Sequence, residues 1–241
     1  MLFTLMIFPG VRSSVDGQAQ EGMVKYTPDF RFKDGIYLNF DQVKENNPIP
    51  KAKILTSTDY NDREFFKKIL KSDKIYFYDA MGVRQEIPTN SIWGYSRNGV
   101  LYIQVQEEFN RITFVGSICH FVADVVTADP RYYGSPYGGY YDPYSYYSPY
   151  GYGSYYSPYG SYYSPYSRSN MTRNEVKQFI FNFDDGKIMD FDLESTELLL
   201  MKDSKLYEEF MELPRRKRKD LMFVYIRKYN EDNPLYLPEN K

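Results

Sequence analysis

Apolar and polar side chains alternate in short runs through most of this chain, and only near its end does the spacing lengthen to that of helices. The first clear run places Ile36, Leu38 and Phe40 on one side of a strand. Asp41 follows as a candidate N-cap for a helical turn over residues 42–46, which Asn47-Pro48 and Pro50 stop. Residues 51–55 read as a further strand. Residues 63–70, with Phe65, Phe66, Ile69 and Leu70, read as a short helix or an edge strand.

The middle of the chain is patterned more strongly. Residues 74–78 and 83–87 flank a turn at Asp79 to Gly82. Residues 91–95 and 100–105 flank a segment containing Asn98-Gly99, a pair that suits the positive backbone angles of a tight hairpin. Strands over 111–114 and 118–125 follow, with Gly116 at the bend between them. The same alternation returns over 176–183. Asp184-Asp185-Gly186 turns it back into 187–191. Beyond this the period changes. A helix is expected within 193–200, a second capped by Asp203-Ser204, and a third over 220–229 with Leu221, Met222, Val224, Tyr225, Ile226 and Tyr229.

These patterns predict an α+β fold, an antiparallel sheet that is curled or barrel-like and covered on one face by C-terminal helices. Residues 35–130 and 167–241 would form its single domain, with 20–34 as a polar lead-in. Between the two halves lies a different composition. Residues 131–166 hold sixteen of the 27 tyrosines and no Val, Ile, Leu, Met, Phe or Trp. The unit SYYSPYG starts at Ser145 and Ser154 and again, with its last residue changed, at Ser161. Its prolines are irregularly spaced, which argues against a stacked repeat. Without branched aliphatics it cannot build a core, so it reads as a disordered or weakly collapsed loop inserted into one sheet. Loop-closure entropy grows only logarithmically, and the sheet tolerates such an insertion.

Composition removes several functions. A formal net charge of -2 gives no global attraction to nucleic acid. One cysteine, Cys119, and one histidine, His120, exclude an intrachain disulfide and any multi-histidine or cysteine-based metal site. Their adjacency on a strand sends them to opposite faces, so they cannot act as a nucleophile–base pair. No glycine-rich phosphate loop, nucleophile elbow or metalloprotease motif is present. No cofactor is implied. The five cations Arg215 to Lys219 follow Glu208, Glu209 and Glu212, and read as a solvated helix face. Asp184 and Asp185 are accounted for by their turn.

Two surfaces remain for binding. Trp93 and Tyr95, two positions apart on a strand, with Tyr102 across the hairpin, form either core or a shallow carbohydrate platform. In the inserted tract Tyr146, Tyr147, Tyr155, Tyr156, Tyr162 and Tyr163 offer rings and hydroxyls to a glycan or an envelope protein, or to weak self-association. The first ten residues are apolar, and Gly17-Gln18-Ala19 forms a small-x-small cleavage pattern, so residues 1–19 read as a secretory signal without its basic region. The alternative is a hydrophobic first strand or a frayed terminus. The apolar run is too short to cross a bilayer.

The segments GIYLNFDQVKENNP, SIWGYSRNGVLYI, FIFNFDDGKIMDF and RKYNEDNPLYLP resemble the uncharacterised exported proteins of Bacteroidetes-type bacteria. The resemblance implies an envelope location, periplasmic or surface-associated, and a sheet-plus-helices domain. It implies no activity. The expectation is a non-enzymatic envelope protein with a binding or structural role. The alternative is an enzyme or small-ligand-binding protein with a pocket between sheet and helices.

Overall fold

The computed structural model describes residues 22–128 and 172–239. Its strands and helices, in chain order, are β1 Met23–Lys25, β2 Gly35–Tyr37, α1 Phe40–Lys44, β3 Ile54–Leu55, α2 Phe65–Ile69, β4 Lys74–Tyr78, β5 Arg84–Pro88, β6 Gly94–Arg97, β7 Val100–Val105, β8 Glu108–Phe114, β9 Ile118–Ala128, β10 Thr172–Asn182, β11 Ile188–Asp190, α3 Leu193–Leu200, α4 Ser204–Met211, α5 Arg215–Asp232 and β12 Tyr236–Pro238.

Seven strands form one antiparallel sheet in the order β11-β10-β9-β8-β7-β6-β2. β9 and β10 run together through eleven residue pairs, from Ile118 opposite Asn182 to Ala128 opposite Thr172. The two halves of the chain on either side of residues 129–171 therefore meet in one sheet. The β6–β7 turn is the two-residue Asn98-Gly99 loop, with φ of 54° and 74°. Both positive values match the twist of the hairpin they connect.

The expectation of a curled, barrel-like sheet is corrected. The sheet is open, and its three-residue edge strands β2 and β11 pair with one neighbour each and not with one another. Alternation specifies which face of each strand is buried, but says nothing about whether the outer strands meet. What replaces the far wall of a barrel is the chain's own ends. Lead-in residues Tyr26, Phe30 and Phe32, α1 with Phe40 and Val43, and tail residues Leu235 and Leu237 pack on one face. There they meet Leu101, Ile103, Phe121, Phe179 and Phe181. β1 and β12 pair antiparallel within this cover. The segment read as a polar lead-in thus supplies part of the core.

The opposite face carries two separate cores, and the C-terminal helices cover only one of them. Ile118 and Ile180 lie under Leu199, Leu200, Leu206, Phe210, Tyr225, Ile226 and Tyr229 of α3, α4 and α5. Asp192 caps α3 by accepting from the Ser195 N–H, and Asp203 caps α4 from the Leu206 N–H. Further along the sheet, Ile36, Tyr95 and Tyr102 are covered by α2 and by a second, three-stranded sheet in the order β3-β4-β5. Of the expected strand over residues 51–55 only β3 forms, because Lys51–Lys53 make a 3-10 turn. Among the described residues no helix is long and apolar enough to cross a membrane.

Candidate functional site

Three loops converge over the second small core to form an open cleft of about 330 Å³. Lys51 comes from the 3-10 turn before β3, Tyr60 to Arg63 from the loop between β3 and α2, and Arg97 with Asn98 from the end of the β6–β7 hairpin. The hydrophobic pattern explains why they meet. Phe65 and Phe66, adjacent on α2, are both fully buried, and Phe66 stacks on Tyr95 at 4.9 Å between ring centroids. Tyr95 stacks in turn on Tyr102 at 4.6 Å and 5°. Burying these rings draws the loop before α2 down beside the hairpin turn, and the polar residues of both are left around the opening.

Cations dominate the lining. The Lys51 ammonium lies 5.4 Å from the Phe65 ring centroid and 5.2 Å from that of Phe66, within the range of cation–π attraction. The Arg97 guanidinium lies 5.9 Å over Tyr102 and donates from Nη1 to the Arg63 carbonyl oxygen at 3.1 Å, tying the hairpin to the loop. The Tyr60 hydroxyl donates to the Ile54 carbonyl at 3.0 Å, which fixes that ring at the rim. The one carboxylate of the lining, Asp62, is already engaged. It is hydrogen-bonded and ion-paired to Lys68 and accepts from the Glu64 N–H at 2.8 Å. These bonds, the Lys68 contact foremost, hold its carboxyl below the usual carboxylate range. Among the described residues, no ion pair neutralises Lys51, Arg63 or Arg97, while Lys44, Lys67, Lys68 and Lys74 each have a carboxylate partner.

The aromatic trio expected from sequence is divided. Tyr95 and Tyr102 form the stacked floor beneath Arg97, but Trp93 packs on the other face of the sheet, with Phe40 at 5.6 Å and Phe181 at 6.3 Å. Two-residue spacing did not keep Trp93 beside Tyr95, because Trp93 lies just outside β6. Tyr95 is buried, and burial pushes its hydroxyl up to about 12. The tyrosines 146, 147, 155, 156, 162 and 163, and the expected signal segment 1–19, lie outside the described residues.

The reactive side chains of β9 are committed to packing. Cys119 is fully buried, donates from Sγ to the Gly116 carbonyl, and has its thiol pushed up to about 12 by burial. His120 faces the other way, between the Phe191 and Phe223 rings at 5.2 and 5.4 Å. Its Nε2 meets Gln178 Oε1 at 3.0 Å and its Nδ1 meets the Thr113 hydroxyl at 3.2 Å. Burial lowers its pKa, with the Gln178 bond opposing. Among the described residues no three His, Cys, Asp or Glu side chains gather where a metal could sit.

The basic run begins α5. Arg218 turns inward to pair with Glu197, whereas Arg215, Arg216, Lys217 and Lys219 are exposed. Of the acidic residues before it, Glu209 is used elsewhere, binding Lys228 at 2.6 Å and the Tyr225 hydroxyl at 2.9 Å.

Sequence reasoning missed the cleft because its residues come from three loops with no shared motif. No protein-family model, no curated protein and no solved structure matches this chain.

Proposed function

We propose that this is a non-enzymatic binding protein exported to the cell envelope, with the cleft at Lys51, Arg63 and Arg97 as a ligand site. The observation that carries the binding role is the grouping of these three cations around an opening whose one carboxylate is already paired to Lys68. Like charges held together in a concave site raise the local concentration of anions. The lining suits holding a ligand better than transforming it. Arginine stays protonated throughout the accessible pH range and exchanges no proton with a substrate. Cys119, the strongest nucleophile in the chain by residue type, sits on β9 with its thiol buried and protonated.

Between the sheet and the C-terminal helices, the other place where a pocket was expected, a buried apolar cluster packs. Ile118 and Ile180 are covered by Leu199, Leu200, Phe210 and Ile226, and the Asn230 amide there is taken up by the Ile118 backbone. The export half of the reading rests on the apolar opening segment and on the resemblance to exported proteins. Fractionation of cells making the full chain with its own N-terminus tests it. Recovery in the periplasmic or envelope fraction is expected, and retention in the cytosol contradicts it.

A further inference from the structure

Taking the cleft as the binding site proposed above, we infer that its ligand is a small sugar-like oxyanion: a hydroxyl-rich molecule bearing one carboxylate or phosphate. The charge half of this follows from the three cations. The Arg63 guanidinium makes no hydrogen bond or ion pair among the described residues, and only one Arg97 N–H is used, on the Arg63 carbonyl. A guanidinium has five N–H donors in a planar fork, which matches the paired oxygens of a carboxylate or phosphate. Lys51 adds a point charge that its aromatic support cannot neutralise. An oxyanion held among them would supply the carboxylate-like partner that none of the three has among the described residues. Asp62 does not compete for them, because its oxygens are bound to Lys68 and the Glu64 N–H.

The sugar half follows from the rest of the lining. Asn61 and Asn98 are both in the lining, and their residue type carries an amide that both donates and accepts, which suits hydroxyl groups. Tyr60 donates its proton to Ile54, leaving its phenol oxygen as an acceptor at the rim. The volume of about 330 Å³ lies at the lower end of small-molecule sites, which run from about 300 to 1,000 Å³. A polar ligand of monosaccharide class fits this lining better than an apolar one.

Calorimetric titration of the full chain at low salt decides the matter, with glucose 6-phosphate, glucuronate, glucose and inorganic phosphate as the probes. Saturable binding of at least one of the two sugar oxyanions is expected, and the tighter one identifies the anionic group. Lys51→Gln and Arg63→Gln should each weaken it roughly tenfold, the size of one charge-assisted hydrogen bond. Both positions border the opening, and thermal melts of the variants establish that the fold is retained. Glucose binding as tightly as its phosphate overturns the charge half, and inorganic phosphate binding as tightly as glucose 6-phosphate overturns the sugar half. Binding that both variants leave unchanged, or no binding to any probe, overturns the inference. Such a failure leaves export to be decided separately by fractionation, so the two readings fall independently.

Discussion

The side-chain amide of Asn230 closes two hydrogen bonds on the backbone of Ile118, donating from Nδ2 to its carbonyl at 2.8 Å and accepting its N–H at Oδ1 at 2.7 Å. One residue of α5 thereby satisfies both main-chain groups at the start of β9, where Ile118 is 1% exposed. Beside it, a Cβ on Gly116 would stand 2.4 Å from Asn230 Nδ2, so the clamp also explains why that position has no side chain. The helical layer is attached to the sheet by this polar contact as well as by its apolar face.

Asn230→Ala should therefore leave two buried backbone groups unpaired and cost about 2–4 kcal/mol, read as a lower midpoint in urea unfolding. Gly116→Ala displaces the same amide and should cost a similar amount. Because both changes break one contact, the double variant should be little worse than either single one. Additive losses would mean that Gly116 and Asn230 act separately.

His120 gives the stability a pH dependence whose sign follows from its surroundings. Burial lowers its folded pKa below the ordinary value of about 6.5. Between the folded and unfolded values the unfolded chain binds more protons, so stability rises with pH through this window. The contribution is complete above about pH 6.5 and is lost as pH falls toward the folded pKa. Chemical denaturation at several pH values should show this slope below about pH 6.5, and His120→Gln should flatten it.

The connection between β9 and β10 should be dispensable for folding. These strands pair as far as Ala128 and Thr172, so a short loop can join them in the same register. Closure entropy depends on the logarithm of loop length, and deleting residues 132–166 should raise stability by roughly 1 kcal/mol with unfolding still cooperative. If the tract contributes to envelope or partner association, as its tyrosines suggest, the same variant should associate more weakly. Unchanged association would remove the tract from the functional account.

Much of this fold was legible in the chain because its determinants are local. Asn98-Gly99 announced the β6–β7 hairpin, Asp184 to Gly186 the β10–β11 turn, and Asp203 the start of α4. Alternation in β9 correctly separated Cys119 from His120. What could not be read depends on residues far apart. Nothing local distinguishes an open sheet from a closed one, and nothing in residues 20–34 announces that Tyr26, Phe30 and Phe32 cover a sheet face. The candidate site belongs to this second kind. Tyr95 and Tyr102 were visible as a pair across a hairpin, yet the cations of the cleft come from positions 51, 63 and 97, which share no motif.

The most direct test of the binding role locates the ligand on the protein. In an NMR titration of isotope-labelled full chain with glucose 6-phosphate, backbone and guanidinium shifts should centre on Lys51, Tyr60 to Arg63, Arg97 and Asn98. They should weaken on raising salt from 50 to 500 mM, about the range over which exposed charges become screened. Shifts centred instead on the exposed cations Arg215 to Lys219 of α5, or absent from the cleft at saturating ligand, would contradict the account.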